Sequence, residues 1–325
     1  MRNTYLILTV LLLLAIGCGS NSNASGGKNG DSSEKSGAYS SPGPVAKTDS
    51  QTGEGRDIPV AWKLGEAAPV EKVKFGTSDH VEIVGNYRPS AGTSSGKVPG
   101  LICVPQLGKT KETYDEFTKH LSEIGIASLA IDVRGHGEST MNGKLRYGSF
   151  TPAEWLSCIK DLNAAFGWLS LRPDVDTRHV GFIGASIGAN LALIAGARNE
   201  VNMIIALSPG LDFHGVKPAE YAGKIHGKPV YVIATAGDKY SADTVSTLSQ
   251  GMDPKTETKI IDGRSEHGTD MFKIPFFQVE LVKWIKEKFD AMVRVELNTD
   301  NPVPQGKPRP IYRGAEKDFG KQGGK

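Results

Sequence analysis

Three residues of this chain have the types needed to cleave an acyl bond: Ser186, Asp238 and His267. A serine hydroxyl is a weak nucleophile until an imidazole takes its proton. The imidazole needs a carboxylate on its other nitrogen, which holds the tautomer and stabilises the imidazolium. Ser186 is the centre of Gly184-Ala185-Ser186-Ile187-Gly188, a G-x-S-x-G pattern. That pattern alone decides little. A chain with 39 glycines forms it by accident, and this one holds a second copy at Gly92-Thr93-Ser94-Ser95-Gly96.

Context separates the two copies, because a nucleophile of this kind needs a strand before it and a helix after it. Ser186 stands between the apolar run 180–183 and a second apolar run from Ile187 to Ala197. Small residues at 184, 185 and 188 permit a tight turn there. Ser94 lies in PSAGTSSGK, a polar stretch with no apolar run beside it. A dinucleotide-binding loop is the other rival for 179–190. It needs glycine at 186 and 189, and the chain has Ser186 and Ala189.

The elements that must position these residues follow from hydrophobic periodicity. Short apolar, β-branched runs at 101–104, 126–131, 180–183, 203–207, 230–234 and 258–261 read as strands. Longer amphipathic stretches at 114–124, 152–169, 187–197, 242–250 and 275–289 read as helices between and after them. Near-continuous apolar strands separated by helices imply a parallel sheet covered on both faces. The runs 70–75 and 81–87 alternate apolar and polar and suit an antiparallel hairpin at one edge. The expected class is α/β: a three-layer α/β/α sandwich with a mostly parallel sheet, an antiparallel N-terminal edge and a minimal lid. On this reading Asp238 follows the next-to-last strand and His267 the last, so three strand ends can bring the three side chains together.

With AIDVRGHGES (130–139) upstream of GASIGANLAL, SPGLD, ATAGDKYSA and EHGTDMF, the region from about 70 to 290 resembles the α/β-hydrolase superfamily. Within it the nearest likeness is to small bacterial esterases around the dienelactone-hydrolase branch. The resemblance implies the triad Ser186, Asp238 and His267 in that chain order. It implies an oxyanion hole of two backbone N–H groups. One is that of Ile187, just after the nucleophile. The other comes from the loop after the 101–104 strand, where the family often carries His-Gly-X and this chain has Pro105-Gln106-Leu107. Leu107 is therefore the expected second donor, with Gln106 and His214 as possible pocket-lining residues. Asp212, in SPGLD, is the rival acid. His136 is expected to brace its own loop, and His80, His120, His179 and His226 to lie on the surface. Only 208–229 is available for a lid between the 203–207 and 230–234 strands, which implies an open site.

The N-terminal MRNTYLILTVLLLLAIGCGS has one early charge, an apolar run over 5–16 and then Gly17-Cys18. The run is short for a bilayer span and has the form of a secretory signal. Its end resembles the lipobox of bacterial lipoproteins, with Ala15 where leucine is usual. That resemblance implies removal of residues 1–17, lipidation of Cys18 and a membrane-surface location. Residues 18–60 are Ser-, Gly- and Asn-rich and read as a flexible tether. Such a segment spans about 35 Å root-mean-square at about 5–6 Å × √n. The hydrolase domain is expected over 61–292 and an unpacked tail over 293–325.

Lysine plus arginine number 38 against 36 acidic residues, for a net charge of +2. No basic stripe appears, so nucleic acid is not an expected partner. No metal-ligand spacing occurs, and neither metal nor cofactor is expected. Cys103 and Cys158 are expected to be buried thiols rather than a disulfide. The function expected is an exported, lipid-anchored serine hydrolase acting on carboxylic esters. The alternatives are a non-catalytic binding or envelope protein on the same fold, and a peptidase or acyltransferase using the same machinery.

Overall fold

The computed structural model describes residues 62–92, 96–198 and 201–298. Cys18, the signal and tether segments, Ser94 and the chain from 299 onward lie outside the described residues.

Eight strands form one sheet in the order β1-β2-β4-β3-β5-β6-β7-β8. They are β1 (Glu71–Gly76), β2 (Glu82–Arg88), β3 (Val98–Val104), β4 (Ala127–Ile131), β5 (Val175–Ala185), β6 (Met203–Leu207), β7 (Val230–Thr235) and β8 (Glu257–Ile261). β2 runs antiparallel to both of its neighbours, β1 and β4. All other pairings are parallel. The sheet is thus mostly parallel with an antiparallel N-terminal edge, as its apolar patterning implies.

Side-chain alternation sends the central strands, β3 to β7, into two cores. On one face Ile102, Phe182, Ile204 and Val232 pack with α3 (Ile159–Ser170), α4 (Ile187–Arg198) and α6 (Lys239–Ser249). On the other, Leu101, Ile183, Ile205 and Ile233 pack with α1 (Asp115–Glu123) and α7 (Phe277–Asn298). Strands buried on both faces need apolar residues at every position, which is why they read as continuous runs. α4 is buried on all sides over 187–196, as an apolar helix without a polar face must be.

Register decides where chemistry can occur. Val104 is level with Gly184, Ala185 with Leu207, Leu207 with Ile233, and Thr235 with Ile261. The carboxyl ends of five strands therefore stop side by side. In open parallel sheets that edge is where ligands bind.

The structure departs from expectation in several places. The helix expected over 152–169 is two, α2 (Pro152–Ser157) and α3, which meet at Cys158. There the Cys158 N–H bonds the Trp155 carbonyl at 3.1 Å, a tightened turn. α7 continues past residue 292 to Asn298. His120 and His179 are buried rather than on the surface. His120 lies three residues after the buried Phe117 on α1, so helical spacing turns it inward. His179 sits in β5 with Nδ1 3.2 Å from Asp176. Cys103 and Cys158 are free and buried.

Between β6 and β7 the chain forms only a Phe213–Val216 bridge and the single turn α5 (Ala219–Ala222). Asn190 of α4 pins this crossover. Its carboxamide donates to the Gly210 and Val216 carbonyls at 2.8 Å each and accepts from the Gly210 N–H at 3.0 Å. Asn190→Ala leaves the N–H and the carbonyl of Gly210 without partners and the Val216 carbonyl with only its bond from the Phe213 N–H. The expected cost is about 2–4 kcal/mol, read as a fall of roughly 5–12 °C in thermal melting.

Candidate active site

The nucleophile elbow is built by close backbone approach. β5 ends at Ala185, Ser186 turns with φ +54°, and α4 begins at Ile187. Positive φ is uncommon for a non-glycine residue and persists where its surroundings impose it. Here they do. A Cβ on Gly184 would overlap the carbonyl oxygen of Gly188. A Cβ on Gly188 would stand 2.5 Å from the Val104 carbonyl oxygen and 2.6 Å from that of Pro105. The Ser186 N–H bonds the Leu207 carbonyl at 2.8 Å, tying the turn to β6. Ser186 itself is buried at the head of α4. As the first helical residue, Ile187 has an amide with no acceptor inside the helix, and the helix dipole favours negative charge there.

The candidate acid and base come from the ends of β7 and β8. Asp238 is the N-cap residue of α6, after β7. His267 follows β8, and its Nδ1 lies 2.6 Å from Asp238 Oδ2. A proton on Nδ1 leaves Nε2 as the acceptor, the form a general base requires. Burial tends to raise the Asp238 carboxyl. The hydrogen bond with His267, helped by the nearby Ser241 and Ser208 hydroxyls, outweighs it and holds the group below its ordinary value. Asp238 is thus the charged partner at neutral pH.

Three strand ends grip the loop that carries His267. The Ser208 hydroxyl accepts from the Gly268 N–H at 2.9 Å. Thr235 Oγ1 donates to the Glu266 carbonyl at 3.0 Å. Gln106 Oε1 accepts from the Thr269 N–H at 2.7 Å and from Thr269 Oγ1 at 3.0 Å. Gly268 takes φ +59°, and a Cβ there would be 3.3 Å from the Ala185 Cβ. The residue after His267 therefore lies directly against the residue before Ser186.

The loop after β3 is fixed at both ends. Gln106 opens a turn closed by the Lys109 N–H at 3.0 Å, with Gly108 at φ +71°. Beyond it the buried Lys111 gives its backbone N–H and its Nζ to Asp132, each at 2.8 Å. Leu107 and Ile187, the expected oxyanion donors, thus sit on two segments that touch through Gly188 and Val104–Pro105.

The remaining candidates take other places. Asp212 accepts from the Gly215 N–H at 2.7 Å and stands 3.6 Å from Lys217, so the rival acid is occupied within its own turn. His214 stacks on Trp155 at 5.1 Å. Its neighbour Phe213 instead meets the His267 ring edge-on at 6.4 Å and Tyr240 at 5.6 Å. Gln106 turns inward to Thr269 and is largely enclosed. His136 bonds the Arg134 carbonyl and stacks on Tyr147 at 4.1 Å, bracing its loop as expected. Sequence reasoning missed Ser208, Thr269 and Tyr147. The first two have a signal in their place, one after a strand end and the other two residues beyond the histidine.

Comparison with known proteins follows this geometry. Residues 100–261 match the family model described as serine aminopeptidase, S33. The polyketide transferase claH of Penicillium crustosum is 27% identical over 141 residues, which is 43% of this chain and 44% of that protein. The chain spans about half the length of the curated relatives it matches. Among solved structures, dienelactone hydrolase of Anabaena variabilis superposes with a TM-score of 0.56 at 19% identity, covering 70% of this chain and 99% of its own. An esterase of Pyrococcus furiosus gives 0.53 at 18%, covering 69% and 93%. The chain has the α/β-hydrolase fold.

Gly268 offers a direct test of the packing between elbow and histidine loop. An alanine there must hold a left-handed backbone and overlap Gln106 Oε1. Gly268→Ala is expected to lose about 1–3 kcal/mol from the backbone alone, measured by denaturant unfolding. Unchanged stability would mean that this contact is loose.

Proposed function

From the α/β-hydrolase fold, we propose that the chain is a serine hydrolase that cleaves carboxylic esters through an acyl-enzyme. The observation that carries this reading is the 2.6 Å bond between His267 Nδ1 and Asp238, on a loop packed against the residue preceding an elbow serine. Ser186 Oγ attacks the acyl carbon while His267 Nε2 takes its proton. The Ile187 and Leu107 N–H groups receive the developing oxyanion, each worth about 2.7–4 kcal/mol of transition-state stabilisation. Collapse returns the proton from His267 to the leaving alcohol and leaves an acyl ester on Ser186. A water molecule, deprotonated by the same ring, releases the acid and restores the serine.

Carboxylic esters are favoured over amino-terminal peptides by the charges near the base. An aminopeptidase needs a free carboxylate for the substrate ammonium. Two carboxylates on these strand-end loops are engaged elsewhere, Asp212 by Gly215 and Lys217, and Glu266 by the Ser265 N–H and Arg264. Phe213 beside the base and the exposed side chains of Leu107, Leu211 and Tyr240 support an uncharged, partly apolar substrate. The name of the fungal relative brings a second reading, transfer of the acyl group to an alcohol in place of water. Added alcohol nucleophiles would divert product from acid to ester if that reading holds.

Export and anchoring at Cys18 belong to the same proposal, supported by the apolar run 5–16 and the Gly17-Cys18 exit. Cys18→Ala is expected to move the protein out of the detergent-extracted membrane fraction of a bacterial host. Retention there would remove the anchor from the reading.

A fluorophosphonate probe tests the chemistry. Wild type should label and hydrolyse p-nitrophenyl acetate, and Ser186→Ala should do neither. Asp238→Asn should keep the fold but lose about 10³–10⁴ in kcat, because the imidazole then takes the wrong tautomer. Full activity in Ser186→Ala would reject the proposal.

A further inference from the structure

We propose that Gln106 is a positioning residue of this site, tying the turn that presents the Leu107 amide to the loop that carries His267. The inference rests on the serine-hydrolase reading and adds a residue that neither the triad nor the oxyanion hole contains. Gln106 acts in both directions. Its backbone carbonyl closes the 106–109 turn by accepting from the Lys109 N–H at 3.0 Å. Its side-chain Oε1 crosses to the other loop and accepts two hydrogen bonds from Thr269, at 2.7 and 3.0 Å. The partners are 163 residues apart in sequence and buried. In such surroundings a lost acceptor leaves the Thr269 N–H and hydroxyl unsatisfied, and the loop must shift to rehydrate them.

The tie matters because Leu107 and His267 act on the same tetrahedral centre from different strand ends. One group stabilises its oxygen, and the other moves the serine proton. Their separation is a catalytic quantity, and no backbone hydrogen bond among the described residues joins the 105–109 segment to the 266–269 segment directly. Gly268 shows how closely they fit: a Cβ there would overlap Gln106 Oε1 and touch Ala185. Gln106 thus fills the space between the oxyanion turn and the base loop, against the strand end that leads into Ser186.

The test uses the full-length protein and second-order labelling of Ser186 by a fluorophosphonate, well below the melting temperature. Gln106→Met keeps the volume and removes the acceptor. It is expected to label about tenfold to a hundredfold more slowly, the range a misplacement of about 1 Å produces. Thr269→Ser, which keeps both donors, is expected to label within about twofold of wild type, a rescue that loop destabilisation alone would not give. Thr269→Val keeps the backbone donor and should fall between them. The double variant Gln106→Met/Thr269→Val should be no slower than Gln106→Met, because both changes break one connection.

Wild-type labelling by Gln106→Met, or losses that multiply in the double variant, would overturn the positioning role. Should Gln106→Met fail to fold, equal rates for Thr269→Val and Thr269→Ser would overturn it instead. A wild-type chain that does not label at all overturns the serine-hydrolase reading and the role of Gln106 with it.

Discussion

The whole site depends on one close approach, that of the first turn of α4 to the carbonyl oxygens of Val104 and Pro105. Gly188 at that crossing has no room for a side chain. Because the helix must start so near the end of β3, the chain leaving β5 has one residue in which to reverse. Ser186 takes that turn in a left-handed conformation. The same constraint brings the free amide at the head of α4 beside the 105–109 turn. The Ser186 turn and the proposed oxyanion donors are thus products of a single packing event rather than separately placed groups. The local strain of about 1–2 kcal/mol for a non-glycine residue in this region is carried by the surrounding sheet. Every residue of β5 from His179 to Ala185 is buried, so relaxation would require moving the core.

Around that crossing, loops are held by buried polar groups instead of by helices. Asp132 accepts from the Lys111 backbone, the Lys111 ammonium and the Glu138 N–H. Arg134 reaches both the fully buried Asp161 and Asp79. Isolated buried charges are costly, and a buried pair at best roughly offsets its desolvation. Their value here is geometric. Asp132 and Asp161 each accept from backbone as well as side-chain donors, so the 132–139 segment has few arrangements that leave no orphaned group. The loops consequently share one rigid frame, and an error of position at one strand end is felt at the next.

That logic separates what can be read from the sequence from what cannot. β6 could be read to the residue, because five apolar positions stand between Asn202 and Ser208. The elbow was legible for a similar reason: small residues around a serine between two apolar runs suit little besides a tight strand-to-helix turn. Asp238 and His267 could be placed past their strands because strand ends are visible as the points where apolar runs stop. The break at Cys158 could not, since Leu156, Ile159 and Leu162 keep helical spacing across it and only the backbone tightens. His120 and His179 misled because a histidine is polar by type, whereas its burial is decided by the face it occupies. The bond between Gln106 and Thr269 was invisible. Nothing local distinguishes a pocket-lining carboxamide from one whose partner lies far along the chain.

A site without a lid must obtain its selectivity from surfaces that do not move. The β6–β7 crossover supplies one such surface. Asn190 holds it from below, and the Tyr240 hydroxyl both donates to the Asp212 carbonyl and accepts from its N–H. Phe213 is therefore fixed between Tyr240 and the imidazole of His267. On the opposite flank Tyr147, stacked on His136, brings its hydroxyl to 3.2 Å from where a side chain on Gly108 would begin. Beside it the 135–148 segment lines an open hollow of about 410 Å³. Since the crossover is pinned by Asn190 of α4 and Tyr240 of α6, any change that moves Phe213 also disturbs the elements that follow Ser186 and Asp238. On the proposed hydrolase reading, selectivity and rate are then coupled by construction, and a broad substrate range would have to come from tolerance at the exposed rim, where Leu107, Leu211 and Tyr240 stand.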